Sequence, residues 1–320
     1  MIKAANEKSI AEAAGILKAG GLVGMPTETV YGLAANALNG NAVAKIFAVK
    51  GRPSFNPLII HVPNLESAEE YVQVNDAARK AAHHFWPGPL TLILPRKSDC
   101  EISELASAGL ETLAVRVPGH KVALALLKQA GVPVAAPSAN KSGSLSPTSP
   151  AHVHEQLGDQ VDLILAAGPC AVGLESTVLD LSGDKPEILR PGAVTAEQIC
   201  EVLGFDIAYE QAETGVPKSP GMLLKHYAPE TPVRLNAIDV KEGEALLVFG
   251  SDKFMVARDF PEGRKRNLSE TQDLYEAAAN LFAMLKELDG CGAKAIAVMA
   301  IPESGIGVAI NDRLRRAAQT

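Results

Sequence analysis

Val132-Pro133-Val134-Ala135-Ala136-Pro137-Ser138-Ala139-Asn140-Lys141-Ser142-Gly143 decides the fold of this chain. Val132 to Ala136 is a short apolar run that follows a helical pattern over Val122 to Gln129, and it reads as a buried strand. The Ser-X-Asn turn between Pro137 and Gly143 then presents hydroxyl and amide groups with nothing to bury. Open α/β sheets bind ligands at this place, outside the carboxyl ends of their strands.

The same alternation extends in both directions. Upstream, Ile10, Ala13, Ala14 and Leu17 recur at helical spacing and stop at Gly20-Gly21, and Leu22 to Met25 follows as a strand. Asn41 is placed to cap a helix that carries Ile46 and Phe47 and ends at Gly51-Arg52-Pro53. Strands are predicted over 58–62, 90–94 and 113–117, with a helix over 75–85 between the first two. Downstream, 161–166, 177–181 and 187–189 read as strands, and Thr195 with Gln198 forms a capping box. Four prolines break any periodicity from 211 to 232, which reads as an interdomain linker. Its His226-Tyr227 between prolines suits a docked flap better than a bare spacer. Strands over 245–249 and 295–300, a helix lined by Leu274, Ala278, Leu281, Leu285 and Leu288, and a basic helix over 311–318 make a second, smaller α/β unit.

Composition narrows the function. The 320 residues are 47% hydrophobic and only 4% aromatic, as in an aliphatic α/β protein. Acidic residues outnumber Lys and Arg by 37 to 30, which opposes nonspecific nucleic-acid binding but allows a local basic pocket. Cys100, Cys170, Cys200 and Cys291 form no C-x-x-C pair, so they predict reduced thiols in a cytoplasmic protein, without zinc or disulfides. The mixed N-terminus is unlike a signal peptide, and no apolar run is long enough for a membrane span.

Lys50 and Arg52, one residue apart after a helix and pinned by Pro53-Ser54-Phe55-Asn56-Pro57, suit a polyanion such as a triphosphate. No Walker-type or G-x-G-x-x-G glycine cradle occurs in the chain. Pro26-Thr27-Glu28-Thr29-Val30-Tyr31-Gly32 can grip a small polar ligand or can be ordinary loop chemistry. His61, inside an apolar strand, reads first as a hydrogen-bonded core residue. Arg116 within Val115-Arg116-Val117 needs an anion, either a structural partner or a substrate carboxylate. Ser176 lacks a G-x-S-x-G elbow or a nearby histidine in sequence and reads as a hydrogen-bonding group. Trp86, in a Pro/Gly corner, reads as packing.

Taken in order, these segments resemble the YrdC-like domain of threonylcarbamoyl-AMP synthases. The resemblance runs through the Thr27 to Leu33 loop, Lys50-x-Arg52-Pro53, Pro87-Gly88-Pro89-Leu90-Thr91 and Val115 to Pro118. It continues through Pro137 to Gly143, Glu175-Ser176-Thr177 and Arg190-Pro191-Gly192. Ser219-Pro220-Gly221-Met222, His226-Tyr227-Ala228-Pro229 and the Asn311-Asp312-Arg313-Leu314 tail look like the family's two-domain form.

That resemblance implies a YrdC-like twisted open mixed sheet with helices over 1–210, a linker and flap over 211–232, and a smaller Rossmann-like α/β domain over 233–320. It implies synthesis of L-threonylcarbamoyl-AMP and pyrophosphate from L-threonine, bicarbonate or CO2, and ATP with Mg²⁺. A separate complex would then transfer the threonylcarbamoyl group to adenosine 37 of tRNA. Carried over by position, Lys50, Arg52, Asn56, Thr112, Ser138, Asn140, Ser146, Arg190 and Tyr227 face ATP, with Lys50 and Arg52 neutralising charge in the reaction. Thr29, His61, Arg116, the Ala136 backbone and Ser176 face L-threonine. The alternative class is an RNA-binding module, which the net acidity disfavours. A carbamoyl-phosphate-using maturation factor shares this domain type but expects paired zinc-finger cysteines.

Overall fold

The computed structural model describes residues 1–209, 227–252 and 260–319. Eleven strands form one sheet: β1 (Ile2–Ala4), β2 (Val23–Met25), β3 (Gly32–Asn36), β4 (Ile59–His61), β5 (Leu90–Pro95), β6 (Thr112–Arg116), β7 (Val134–Ala135), β8 (Leu163–Ala166), β9 (Thr177–Asp180), β10 (Glu187–Arg190) and β11 (Ala208–Tyr209). Their spatial order is β1-β8-β2-β3-β7-β4-β6-β5-β9-β10-β11. The sheet is mixed: β4 pairs parallel with β6, while β7 runs antiparallel to both β3 and β4. Apolar residues from sheet and helices merge into a continuous core that includes Leu33, Ile60, Leu92 and Val115.

The sequence predicted most of these elements, because Ala, Leu and Val recur at the right periods. It missed the edge strands β1 and β11, and also β3, which follows directly from the polar 26–32 turn and pairs antiparallel with β2. The helix Glu7–Lys18 buries Ile10, Ala13, Ala14 and Leu17 as expected, and Asn6 and Ser9 form a capping box at its start. The helix Gly40–Lys50 corrects one expectation. Asn39, not Asn41, is the cap: its side chain accepts from the Asn41 and Ala42 N–H groups at 3.0 and 3.2 Å. Asn41 already lies in the first turn. At the other end Gly51 takes the left-handed conformation, φ +62°, which stops the helix and leaves Lys50 in its last turn.

A second, wholly parallel sheet contains β12 (Val233–Arg234), β13 (Ala245–Val248), β14 (Lys265–Asn267) and β15 (Ile296–Val298), in the order β12-β15-β13-β14. The helix Leu274–Asp289 buries Ala278, Leu281, Leu285 and Leu288 as its spacing predicted, together with Ala277 and Phe282. The last helix, Gly307–Ala317, starts four residues before Asn311 and is not a solvated basic face: Asn311 and Arg313 are buried in it. Of the segment read as linker and flap, 211–226 lies outside the described residues, His226 included. Tyr227 is described and is buried, at a positive φ of 60°.

The two sheets share an apolar junction. Val30, Leu145 and Leu174 from the first unit pack in one cluster with Tyr227, Phe282 and the core of the second. Lys286 also reaches Glu155 across it, 2.6 Å apart. No helix among the described residues is long and apolar enough to cross a membrane.

Candidate active site

Strand ends converge on one recess of about 520 Å³, its open mouth included. Its lining contains Thr29 from the loop before β3, His61 at the end of β4, Arg116 at the end of β6, and Ala136 and Ser138 after β7. Arg52, Ser176, Arg190 and Tyr227 complete the set of sequence-expected residues that meet there. Parallel pairing of β4 with β6 puts His61 opposite Arg116 in register. Two residues that sequence separates by 55 positions therefore become neighbours.

Arg116 is 3% exposed and has protein partners on three nitrogens. Its Nε donates to the Gly88 carbonyl at 3.2 Å, Nη1 to Thr29 Oγ1 at 3.1 Å, and Nη2 to Glu28 Oε1 at 2.5 Å. The structural-partner alternative is thus realised, by Glu28. The guanidinium has five N–H groups, so two remain uncommitted to protein among the described residues. Glu28 Oε2 is buried without a partner among those residues. His61, 3% exposed, is pulled down to about 3 by burial and then by the Arg116 charge, so it is neutral at physiological pH. Its Nδ1 is buried without a hydrogen-bond partner among the described residues, while the nearby Ile59 and Val134 backbone opposes the lowering.

Ser176 is fully buried; its Oγ lies 2.8 Å from Thr91 Oγ1 and accepts from Arg190 Nη2 at 3.2 Å. Arg190 also donates twice to the Ser176 carbonyl. Ser176 is thus held in a hydrogen-bond network in which no base contacts its Oγ among the described residues. Cys170 is also an unsuitable nucleophile, because burial pushes its thiol up to about 12.

Lys50 and Arg52 divide their work. Lys50 is 2% exposed, and its Nζ donates to the Ser138 and Asn140 carbonyls, each at 2.6 Å. It braces the turn from beneath and does not itself line the recess. Burial, then Arg52 and Lys141, lower its pKa well below the usual lysine value, while Glu175 opposes this. Arg52 does line the recess, with Nε and Nη2 bound to the Asn56 and Pro57 carbonyls at 3.1 and 2.9 Å. Burial above all pulls it down to about 10; Tyr227 works against that shift and Arg190 adds to it. Arg52 remains a cation at neutral pH.

Asn140 and Ser146 stand behind the wall. Asn140 Nδ2 donates to the Lys141 and Ser144 carbonyls, which closes the turn, and Ser146 Oγ donates to Glu175 Oε1. Asn56 is fully buried, yet both its amide nitrogen and oxygen lack partners among the described residues. It does not itself line the recess. Thr112 lies apart: it opens β6, four residues before Arg116, and is absent from the recess wall. At the rise of an extended strand this places it about 13 Å along the chain from Arg116.

The sequence did not single out Glu28 or Glu175 as site residues, nor the role of Arg313. Each acts through a partner 29 or more positions away, so no local motif exposes it. Tyr31 and Trp86, by contrast, are structural: Tyr31 donates to the Gly168 carbonyl and Trp86 Nε1 to the Leu90 carbonyl.

Comparison with known proteins identifies the family. Residues 15–192 match a family model described as "Telomere recombination", and residues 194–319 match "Threonylcarbamoyl-AMP synthase, C-terminal domain". A threonylcarbamoyl-AMP synthase of Pyrococcus abyssi is 40% identical, across 98% of this chain and 94% of its own length. One from Bacillus subtilis is 39% identical with the same coverage. The crystal structure of P. abyssi Sua5 complexed with L-threonine superposes with a TM-score of 0.89 at 37% identity, covering 99% of this chain and 96% of that one. With both of its units matched and nearly its whole length aligned, this chain belongs to the threonylcarbamoyl-AMP synthase family, in the two-domain form.

Proposed function

We propose that this protein is a nucleotidyltransferase that forms L-threonylcarbamoyl-AMP and pyrophosphate from L-threonine, bicarbonate or CO2, and ATP. The product would serve a separate transferase complex that modifies adenosine 37 of tRNA. One observation carries the reading: a single recess joins a guanidinium fit for an amino-acid carboxylate, Arg116, to a cationic side, Arg52 and Arg190, fit for a triphosphate.

In this reading the neutral amine of threonine adds to CO2, and a carbamate oxygen attacks the α-phosphorus while pyrophosphate leaves. The step needs no enzyme nucleophile, in keeping with the bonded Ser176 and the raised Cys170. Catalysis then rests on positioning and charge. Arg116, Thr29 and Ser176 orient threonine. Neutral His61 adds a hydrogen-bonding nitrogen beside Arg116 without adding charge. Arg52 and Arg190 neutralise phosphate, and Lys50 holds the Ser138–Asn140 turn that the phosphates lie against. Among the described residues no cluster of three metal-ligating side chains exists, and Glu175, the carboxylate in the wall, is bound by Ser146 and Arg313, whereas Mg²⁺ commonly takes phosphate oxygens and waters as most of its ligands. Mg²⁺ is therefore proposed only as the companion of ATP.

Pyrophosphate release, measured with threonine and bicarbonate each omitted in turn, tests the reaction. Release is expected to require both, with a threonine-containing adenylate seen by mass spectrometry. Release that ignores threonine would overturn it, and salt-sensitive RNA binding without turnover would favour an RNA-binding module instead.

Lys50 supplies a pH prediction. Its pKa is lowered in the free protein, and nearby phosphate would raise it. ATP binding should take up protons at pH values where the free protein has begun to lose the Lys50 proton, below the usual lysine range, and ATP affinity should fall as pH rises through that transition. Calorimetry in two buffers of different ionisation enthalpy measures the uptake. Absence of uptake in wild type, or equal uptake in Lys50→Met, would show that Lys50 does not sense the phosphates.

A further inference from the structure

The last helix of the second unit places one side chain in the wall of the first. Arg313 has a fully buried side chain. Its Nε donates to Glu175 Oε2 at 2.9 Å, and its Nη1 to the Pro191 carbonyl at 2.9 Å and to Asp312 at 2.7 Å. The guanidinium carbon lies 5.2 Å from the centre of the Tyr227 ring. Its Nη2 is buried without a partner among the described residues. All but the Asp312 contact lead to the nucleotide side of the recess. Glu175 accepts from Ser146, Pro191 adjoins Arg190, and Tyr227 lines the recess.

Charge explains why such a residue is needed. Glu175 is only 6% exposed and belongs to the recess lining. An uncompensated carboxylate there would repel a triphosphate and would itself be costly to bury. Asp312 is shared with Arg316 Nε at 3.0 Å, so the helix brings its own cation balance to the junction.

We propose that Arg313 is a positioning residue for ATP: it cancels the Glu175 charge and fixes the Ser146, Arg190 and Tyr227 side of the recess, so that the C-terminal unit completes the nucleotide site. This inference rests on the synthase reading for its choice of ligand. It differs from a merely structural role in that it moves ATP affinity selectively.

The test uses the full chain and reads ATP Kd by calorimetry without threonine, KM for each substrate, and Tm. Arg313→Met should weaken ATP binding roughly 10–100-fold, the span for a lost hydrogen bond to a charged group, with the threonine KM little changed. Adding Glu175→Gln to Arg313→Met should recover much of the ATP affinity, since the stranded charge is then gone. Arg315→Ala, which removes only an exposed pair with Glu303, should behave as wild type. Wild-type ATP affinity in folded Arg313→Met, an equal loss for both substrates, or no recovery in the double variant would each overturn the proposal. Should Arg313→Met not fold, Arg313→Lys keeps the charge and loses the fork. It should then show an intermediate ATP affinity, and wild-type affinity would count against the idea. A wild-type protein that binds ATP through Arg313 but forms no adenylate would sink the synthase reading and leave this inference standing.

Discussion

Arg116→Ala should raise the KM for L-threonine by roughly 100-fold, as expected for about 3 kcal/mol of lost charge-assisted hydrogen bonding. The KM for ATP should change far less. The guanidinium is buried at the end of β6, with two N–H groups left over after Gly88, Thr29 and Glu28 are served. Those two are what a substrate carboxylate would use. The same substitution strands Glu28, whose Oε2 already lacks a partner among the described residues. Breaking a buried pair from one side costs about 3–5 kcal/mol of stability, so two effects are superimposed. Glu28→Gln added to Arg116→Ala separates them: melting temperature should recover, while threonine KM stays high. Equal increases in both KM values would remove Arg116 from the threonine side. Recovery of threonine affinity along with stability would assign it a structural role alone.

Gly173→Ala should loosen the junction between the two units and cost about 2–5 kcal/mol, from strain at a positive φ plus overpacking. Gly173 has φ +74°, and a Cβ there would stand 2.5 Å from Ala279 Cα and 2.6 Å from the Ala278 carbonyl oxygen. The clash is with helix backbone, so no side-chain rotation relieves it. The helix Leu274–Asp289 must shift, and with it the packing of Phe282 against Tyr227, whose rings lie 5.6 Å apart. Adenylate formation should fall with stability, because Glu175 is two residues downstream of the strained position. Gly183→Ala is the control: nothing lies within 4 Å of its added carbon. Urea midpoints of the two variants check this. Equal midpoints would show that the junction yields more easily than its backbone contacts imply.

The alternation of elements, the cap at Thr195, the apolar faces of the long helices and the polar ends of β4, β6 and β7 were all legible in the sequence. Each depends on residues within a few positions of one another, where period and cap chemistry act directly. The position of Asn39 over Asn41 was not legible, since both amides suit a cap and backbone entry angle chooses between them. β3 was hidden for a related reason: its Gly32-Leu33-Ala34-Ala35 run is short, and it becomes a strand through pairing with β2 and β7.

The sequence by itself determined which chemical groups are available: cations at 50, 52, 116 and 190, a neutral-capable histidine at 61, and hydroxyls at 29, 138 and 176. Only the tertiary structure decided how they are shared. Lys50 went beneath the turn, Glu28 took one edge of Arg116, and Glu175 was tied to Arg313 from the far end of the chain. The physical reason is that burial makes each of these charges expensive until a partner is found, and the partner is set by sheet register and domain packing, which join positions that no local pattern connects.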